Sequence, residues 1–115
     1  MIDLSNITEI YVYNEQCDLR MGIQGLSTLA QRLVPISDAS HKLFIFFGTN
    51  KRSVKIIELD SDGWWLYQKR LFTGKFSFPH NVTTMTKEEL KMFLYGLNID
   101  TYREHITQKE ILYTF

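Results

Sequence analysis

One cysteine, Cys17, stands in a chain of 115 residues. No internal disulfide can form, so stability must come from a packed core. Proline and glycine are scarce, at two and six, which excludes collagen-like and linker-like chains. No apolar run approaches the ~20 residues that cross a bilayer. The opening MIDLSNITEI has Asp3 where a secretory leader carries cations, and no apolar segment follows it. A cytoplasmic protein without membrane contact is expected. Net charge is missing too: 13 Lys and Arg balance 13 Asp and Glu, which argues against a globally basic nucleic-acid binder. His41, His80 and His105 are far apart and show no paired ligand spacing, so no metal site is expected. The chain has neither a Walker-type glycine loop nor a Gly-x-Ser-x-Gly nucleophile elbow. No catalytic residue, cofactor or small-molecule substrate is therefore expected.

What the chain does have is apolar and aromatic matter. Hydrophobic residues make up 44% and Phe, Trp and Tyr 14%, enough to fold one domain over residues 1–115. Residues 9–13 (EIYVY) are β-rich and read as a strand. Asp18 is placed to cap a helix that starts near Leu19 and ends before Pro35, with Ile23, Leu26, Leu29, Ala30, Leu33 and Val34 on one stripe. Gly22 and Gly25 would share a face of that helix, where close packing on a sheet, or else backbone approach to a ligand, offsets their poor helix propensity. Residues 42–48 (KLFIFFG) predict a central strand covered on both faces. TNKRS connects it to VKIIELD, and WWLYQKRLF follows. Asp62-Gly63 is a hairpin signal that leaves the strand register open. TGKFSFP reads as a turn and a short extended piece. Thr86 and Glu89 form a capping box for a second helix carrying Leu90, Phe93, Leu94 and Leu97, with Gly96 at its end. From 98 to 115 the pattern weakens into a C-terminal tail. The expected class is α+β: an antiparallel β-meander of about four to five strands with two amphipathic helices packed on it, in two layers.

The charge is unevenly spread. Between residues 42 and 75 seven cations face three carboxylates, a net +4, and the remainder carries −4. Such polarity suits a basic surface for phosphate and an acidic one for protein. Lys51 and Arg52, at a hairpin tip, join Lys55, Lys69, Arg70 and Lys75 as candidates for phosphate contact. Trp64 and Trp65 are candidates for a protein partner, because aromatic residues dominate interface energetics. Strand alternation puts Trp65, Tyr67, Lys69 and Leu71 on one face, and Trp64, Leu66, Gln68, Arg70 and Phe72 on the other. Both faces begin aromatic and turn cationic only at the far end. That describes a buried strand reaching solvent, not a stacking platform with interleaved cations. Glu58, Asp60 and Asp62 form the one acidic cluster, and turn chemistry accounts for it before a magnesium-dependent nuclease does.

Three stretches together carry a resemblance. YNEQCDLRMGIQGLSTLAQRL presents Asp18, Arg20, Gly22, Gly25 and Leu26 in the order D-[LM]-R-x-G-x-x-G-L. From Asp60 the chain reads D-x-D-G-[FW]-W-L-x-x-K-R-L, and from Gly74 it reads G-[KR]-F-x-[FW]-P. MTKEELKMFLYGLNI fits a closing helix of type L-x-x-[LF]-L-x-G. In this order and spacing they resemble the TnpB-type accessory proteins encoded by the second open reading frame of insertion sequences of the IS-sixty-six group. These are distinct from the RNA-guided nuclease that shares the name. The resemblance implies a non-enzymatic accessory protein for DNA transposition, with no catalytic residues to carry over. The implied partners are transposon-end DNA, the transposase, or both, and Arg20 joins the phosphate-contact candidates. A protein–protein adaptor without DNA contact is the alternative. A metal-dependent nuclease built on Asp60 and Asp62 comes last.

Overall fold

Every residue from Leu43 to Phe47 is buried, as a strand covered on both faces requires. In the computed structural model, which describes residues 2–77 and 83–95, this segment lies in the middle of a five-stranded sheet. In chain order the elements are β1 (Glu9–Val12), α1 (Ile23–Leu33), a 3-10 turn (Ile36–Asp38), β2 (Lys42–Phe47), β3 (Ser53–Leu59), β4 (Trp64–Arg70), β5 (Thr84–Met85) and α2 (Lys87–Leu94). The predicted helix end at Gly96 and the 98–115 tail lie outside the described residues.

The α+β class holds, but the sheet is not a meander throughout. Its order is β4-β3-β2-β1-β5. Only β2, β3 and β4 follow one another antiparallel, pairing Ile45 with Ile56 and Ile56 with Tyr67. β1 runs parallel to β2, with Tyr11 opposite Phe44. Parallel neighbours need a crossover, and α1 supplies it. β5 then pairs antiparallel with β1, Met85 opposite Ile10, in a stretch that reads as loop from sequence. The expected extended piece at TGKFSFP forms no strand in its described part. Instead the Phe76 amide donates to the Lys51 carbonyl at 2.7 Å, and its ring is buried.

The helices cover opposite faces, so the molecule has three layers rather than two. Leu26, Leu29 and Ala30 of α1 pack with Tyr13, Phe44, Phe46 and Ile57. Leu90 and Phe93 of α2 pack with Ile10, Leu43, Ile45, Val54, Ile56 and Phe76. The cause is β2 itself: alternation sends Phe44 and Phe46 one way and Leu43 and Ile45 the other, and each apolar face needs a cover.

Helix α1 begins at Ile23 rather than Leu19, because Asp18 closes a turn instead of capping a helix. Its Oδ1 accepts the Arg20 N–H at 2.9 Å, and its carbonyl accepts the Met21 N–H at 3.0 Å. Asx turns and helix caps use the same local chemistry. Gly22 becomes the N-cap, without a side-chain cap bond, so the two glycines do not share a helical face. At Gly25 the Met21 side chain sits 3.2 Å from where a Cβ would stand. The predicted capping box of α2 is present: Thr86 Oγ1 accepts the Glu89 N–H at 3.1 Å, and Glu89 Oε1 accepts the Thr86 N–H at 3.0 Å. The open register resolves with Leu59 opposite Trp64; the Asp60 amide donates to the Gly63 carbonyl at 2.7 Å across the turn. Among the described residues no helix is long and apolar enough to cross a membrane.

Candidate functional site

Strand direction sorts the charges. β2 and β3 are antiparallel, so their connection at residues 48–52 lies at one end of the sheet, and the β3–β4 connection at residues 60–63 lies at the other. Lys51 and Arg52 project from the first end. Arg70 stands there too, opposite Ser53. The Leu71 amide donates to the Arg52 carbonyl at 2.9 Å and the Phe76 amide to the Lys51 carbonyl at 2.7 Å, which sets Lys75 beside the same tip. The Cys17 amide donates to the Phe47 carbonyl at 3.1 Å and brings the loop carrying Arg20. Arg20, Lys51, Arg52, Arg70 and Lys75 therefore meet at one end. Glu58, Asp60 and Asp62 gather at the opposite end. The polarity is therefore within the 42–75 segment rather than between it and the rest: its hairpin-tip cations and its three carboxylates lie at opposite ends, while Lys42 starts β2 at the acidic end.

At the cationic end an open groove of about 740 Å³ is lined by Asp18, Arg20, Asn50, Ser53, Gln68 and Arg70 among others. Arg20 binds the Asp18 carboxylate through Nε to Oδ1 at 3.0 Å and Nη2 to Oδ2 at 2.8 Å. These bonds hold the Asp18 carboxyl at about 2. The pair fixes the guanidinium plane while its side chain stays 92% exposed. Asn50 Oδ1 accepts the Arg52 amide at 3.0 Å, and Lys51 adopts a left-handed φ of 56°, so the tip is a tight turn. Among the described residues Lys51, Arg52, Arg70 and Lys75 form no ion pair.

Two candidates lie elsewhere. Lys55 is buried under the start of α1 and donates Nζ to the Met21 carbonyl at 3.0 Å. Lys69 is on the opposite face, donating to the Leu94 carbonyl at 2.7 Å and lying over the Tyr95 ring at 5.7 Å; a cation suits that helix end. The tryptophans separate as well. Trp64 is half-buried and meets Phe44 edge-on at 6.2 Å. Trp65 is 56% exposed and donates Nε1–H to Asp60 Oδ2 at 3.0 Å. That bond, with the Ser61 amide, draws the Asp60 carboxyl below its ordinary value, as in a turn carboxylate. Burial pushes the Cys17 thiol up, away from nucleophile chemistry. Among the described residues no three of His, Cys, Asp and Glu are grouped as metal ligands. A second groove, about 710 Å³, lies on the α2 face and is lined by Ile2, Leu4, Ile56, Tyr67, Leu90 and Leu94 among others.

Charge alone does not mark Asp18, Asn50 and Gln68 as groove residues. Asp18 and Arg20 belong to one motif (D-L-R) and Arg70 to another (K-R-L), and these two motifs line one groove; Asn50 and Gln68 stand at no fixed position of either. A family model described as IS66 Orf2 like protein matches residues 8–104. The chain belongs to this family. Membership associates this IS66 Orf2-like protein with transposition, in an accessory capacity. A curated relative, the uncharacterized protein y4hO of Sinorhizobium fredii (strain NBRC 101917 / NGR234), is 27% identical over 79 residues, 69% of each chain. No solved structure matches.

Proposed function

We propose that this protein is a non-enzymatic accessory of transposition that holds transposon-end DNA at the cationic end of its sheet. The observation that carries this reading is the groove shared by Arg20 and Arg70, which come from separate family motifs, with Lys51, Arg52 and Lys75 around it. Planar guanidinium forks match phosphate oxygens two at a time, and the lysines add point charge. The side-chain amides of Asn50 and Gln68 offer paired donors and acceptors for a phosphate or a base edge. The acidic far end completes a dipole that turns the cationic end toward DNA during encounter.

A gel shift with transposon-end duplex over a salt series, with and without transposase, tests the reading. Affinity should fall as salt rises, and the double variant Lys51→Ala with Arg52→Ala should flatten the log–log slope by up to ~2. Salt-independent binding, or none to end sequences, would remove it. The exposed indole of Trp65 supports a second reading, contact with the transposase. A folded Trp65→Ala protein should then lose transposase pull-down, and retained pull-down would count against that contact.

A further inference from the structure

Strand β4 is the outermost strand, with β3 on one side. The Leu71 amide bonds Arg52 at 2.9 Å and the Gly63 carbonyl bonds Asp60 at 2.7 Å, both inward toward the β3 side. Bonded pairs alternate along an antiparallel ladder, so Trp65, Tyr67 and Lys69 also turn their amides and carbonyls inward. Trp64, Leu66, Gln68 and Arg70 turn theirs outward, and among the described residues these groups have no backbone partner. A seven-residue strand with an open edge is a template for another strand.

The side chains along this edge are complementary to themselves in one direction. Trp64 and Trp65 stand at its start and Lys69 and Arg70 at its end. A parallel copy in register would set cation against cation. An antiparallel copy sets each cation against an aromatic ring. We propose that two copies of this chain pair through antiparallel β4 strands about a two-fold axis at Tyr67. Trp64 then faces Arg70 of the second copy, Trp65 faces its Lys69, and Leu66 faces its Gln68. This register overlaps the whole strand and matches the outward backbone groups of one copy to those of the other. Cation-on-aromatic contacts add to the ladder, Lys69 turning to Trp65 from the Leu94 carbonyl and Tyr95 ring that it meets within its own copy.

The charge polarity supports the same arrangement. An antiparallel two-fold lays the acidic turn of one copy, with Asp60 and Asp62, beside Arg70 at the cationic end of the other. The two cationic ends are kept apart. Gln68 and Arg70 also line the groove, so the pairing is tested on the chain without DNA, where a failure of DNA binding does not bear on it.

Sedimentation equilibrium of the full chain over a concentration series should show a monomer–dimer equilibrium. Hydrogen exchange of the unaltered protein should show the Leu66 and Gln68 amides gaining protection with concentration, while the inward Tyr67 and Lys69 amides stay protected throughout. Gln68→Pro removes an outward donor and no inward one, a change that edge strands tolerate, and should leave a monomer. Trp65→Lys opposes lysine to Lys69 at two symmetry-related places and should weaken the dimer roughly 30-fold. Adding Lys69→Glu should restore it. A chain that is monomeric at every concentration would overturn the pairing. So would a dimer indifferent to Gln68→Pro and Trp65→Lys, or outward amides that gain protection only when transposase is added.

Discussion

Lys55 reaches from β3 to the carbonyl oxygen of Met21, 3.0 Å from its Nζ. It ties the turn before α1 to the sheet beneath, and only 8% of the residue is exposed. Lys55→Met keeps the apolar stem but leaves that carbonyl without its donor. Unfolding free energy should fall by about 1–2 kcal/mol, measured by urea titration. On the proposed DNA-holding role, the salt slope of binding should not change, because the ammonium is not at the cationic surface. A flattened slope in a stable Lys55→Met protein would show that this lysine does reach phosphate.

The Asp18–Arg20 pair gives the opposite test, on the groove rather than the core. The Asp18 carboxyl sits at about 2, below the ordinary 3.8, chiefly through its side-chain bonds with Arg20. A folded value below the unfolded one means a contribution fully present above about 3.8 and lost as pH falls through about 2. In an NMR titration Arg20→Ala should return Asp18 to near its ordinary value. Asp18→Asn removes the groove's own carboxylate and leaves Arg20 to phosphate. On the proposed DNA-holding role, affinity for the duplex should then rise, and the salt slope should steepen by up to ~1.

Much of this was legible residue by residue, and much was not. Thr86 and Glu89 announced the α2 cap because that motif is complete within four consecutive positions. Phe44 and Ile45 announced a strand buried on both sides for the same local reason. Asp18 misled, because turn and cap draw on one chemistry and the choice depends on where Arg20 goes. The parallel pairing of β1 with β2 depends on how α1 crosses the sheet, which no local window contains. The site shows the same limit. Arg20, Lys51 and Arg70 could be named as cations, but their meeting in one place follows from strand direction. Lys55 looked equivalent to them until packing placed it beneath Met21.

The two helix starts predict changes of opposite sign. Thr86→Ala removes the oxygen that accepts the Glu89 amide and should cost about 1 kcal/mol. Gly22, at the start of α1, has φ −87° and makes no side-chain cap bond, and a Cβ there would meet nothing within 4 Å. Gly22→Ser adds an acceptor and restricts the unfolded chain, so it should stabilise by about 0.5 kcal/mol. Thermal unfolding of both variants checks the pair. A destabilised Gly22→Ser would mean that the glycine serves the groove loop rather than the helix.

Tyr67 donates its hydroxyl to Glu58 Oε1 at 2.9 Å. Burial, then this bond, pushes the phenol up to about 12 from an ordinary 10.0. A raised folded value favours the protonated form, so the contribution is complete below about 10 and disappears as pH rises through about 12. Tyr67→Phe removes the bond and should cost about 1 kcal/mol at neutral pH. The difference in unfolding free energy between the unaltered protein and Tyr67→Phe should stay level to pH 10 and shrink between 10 and 12. The difference must be used because Tyr11, bonded to Glu9, is raised as well and would add its own slope to either protein alone. A difference that stays level to pH 12 would mean that the Glu58 carboxylate does not hold the Tyr67 proton in the folded chain.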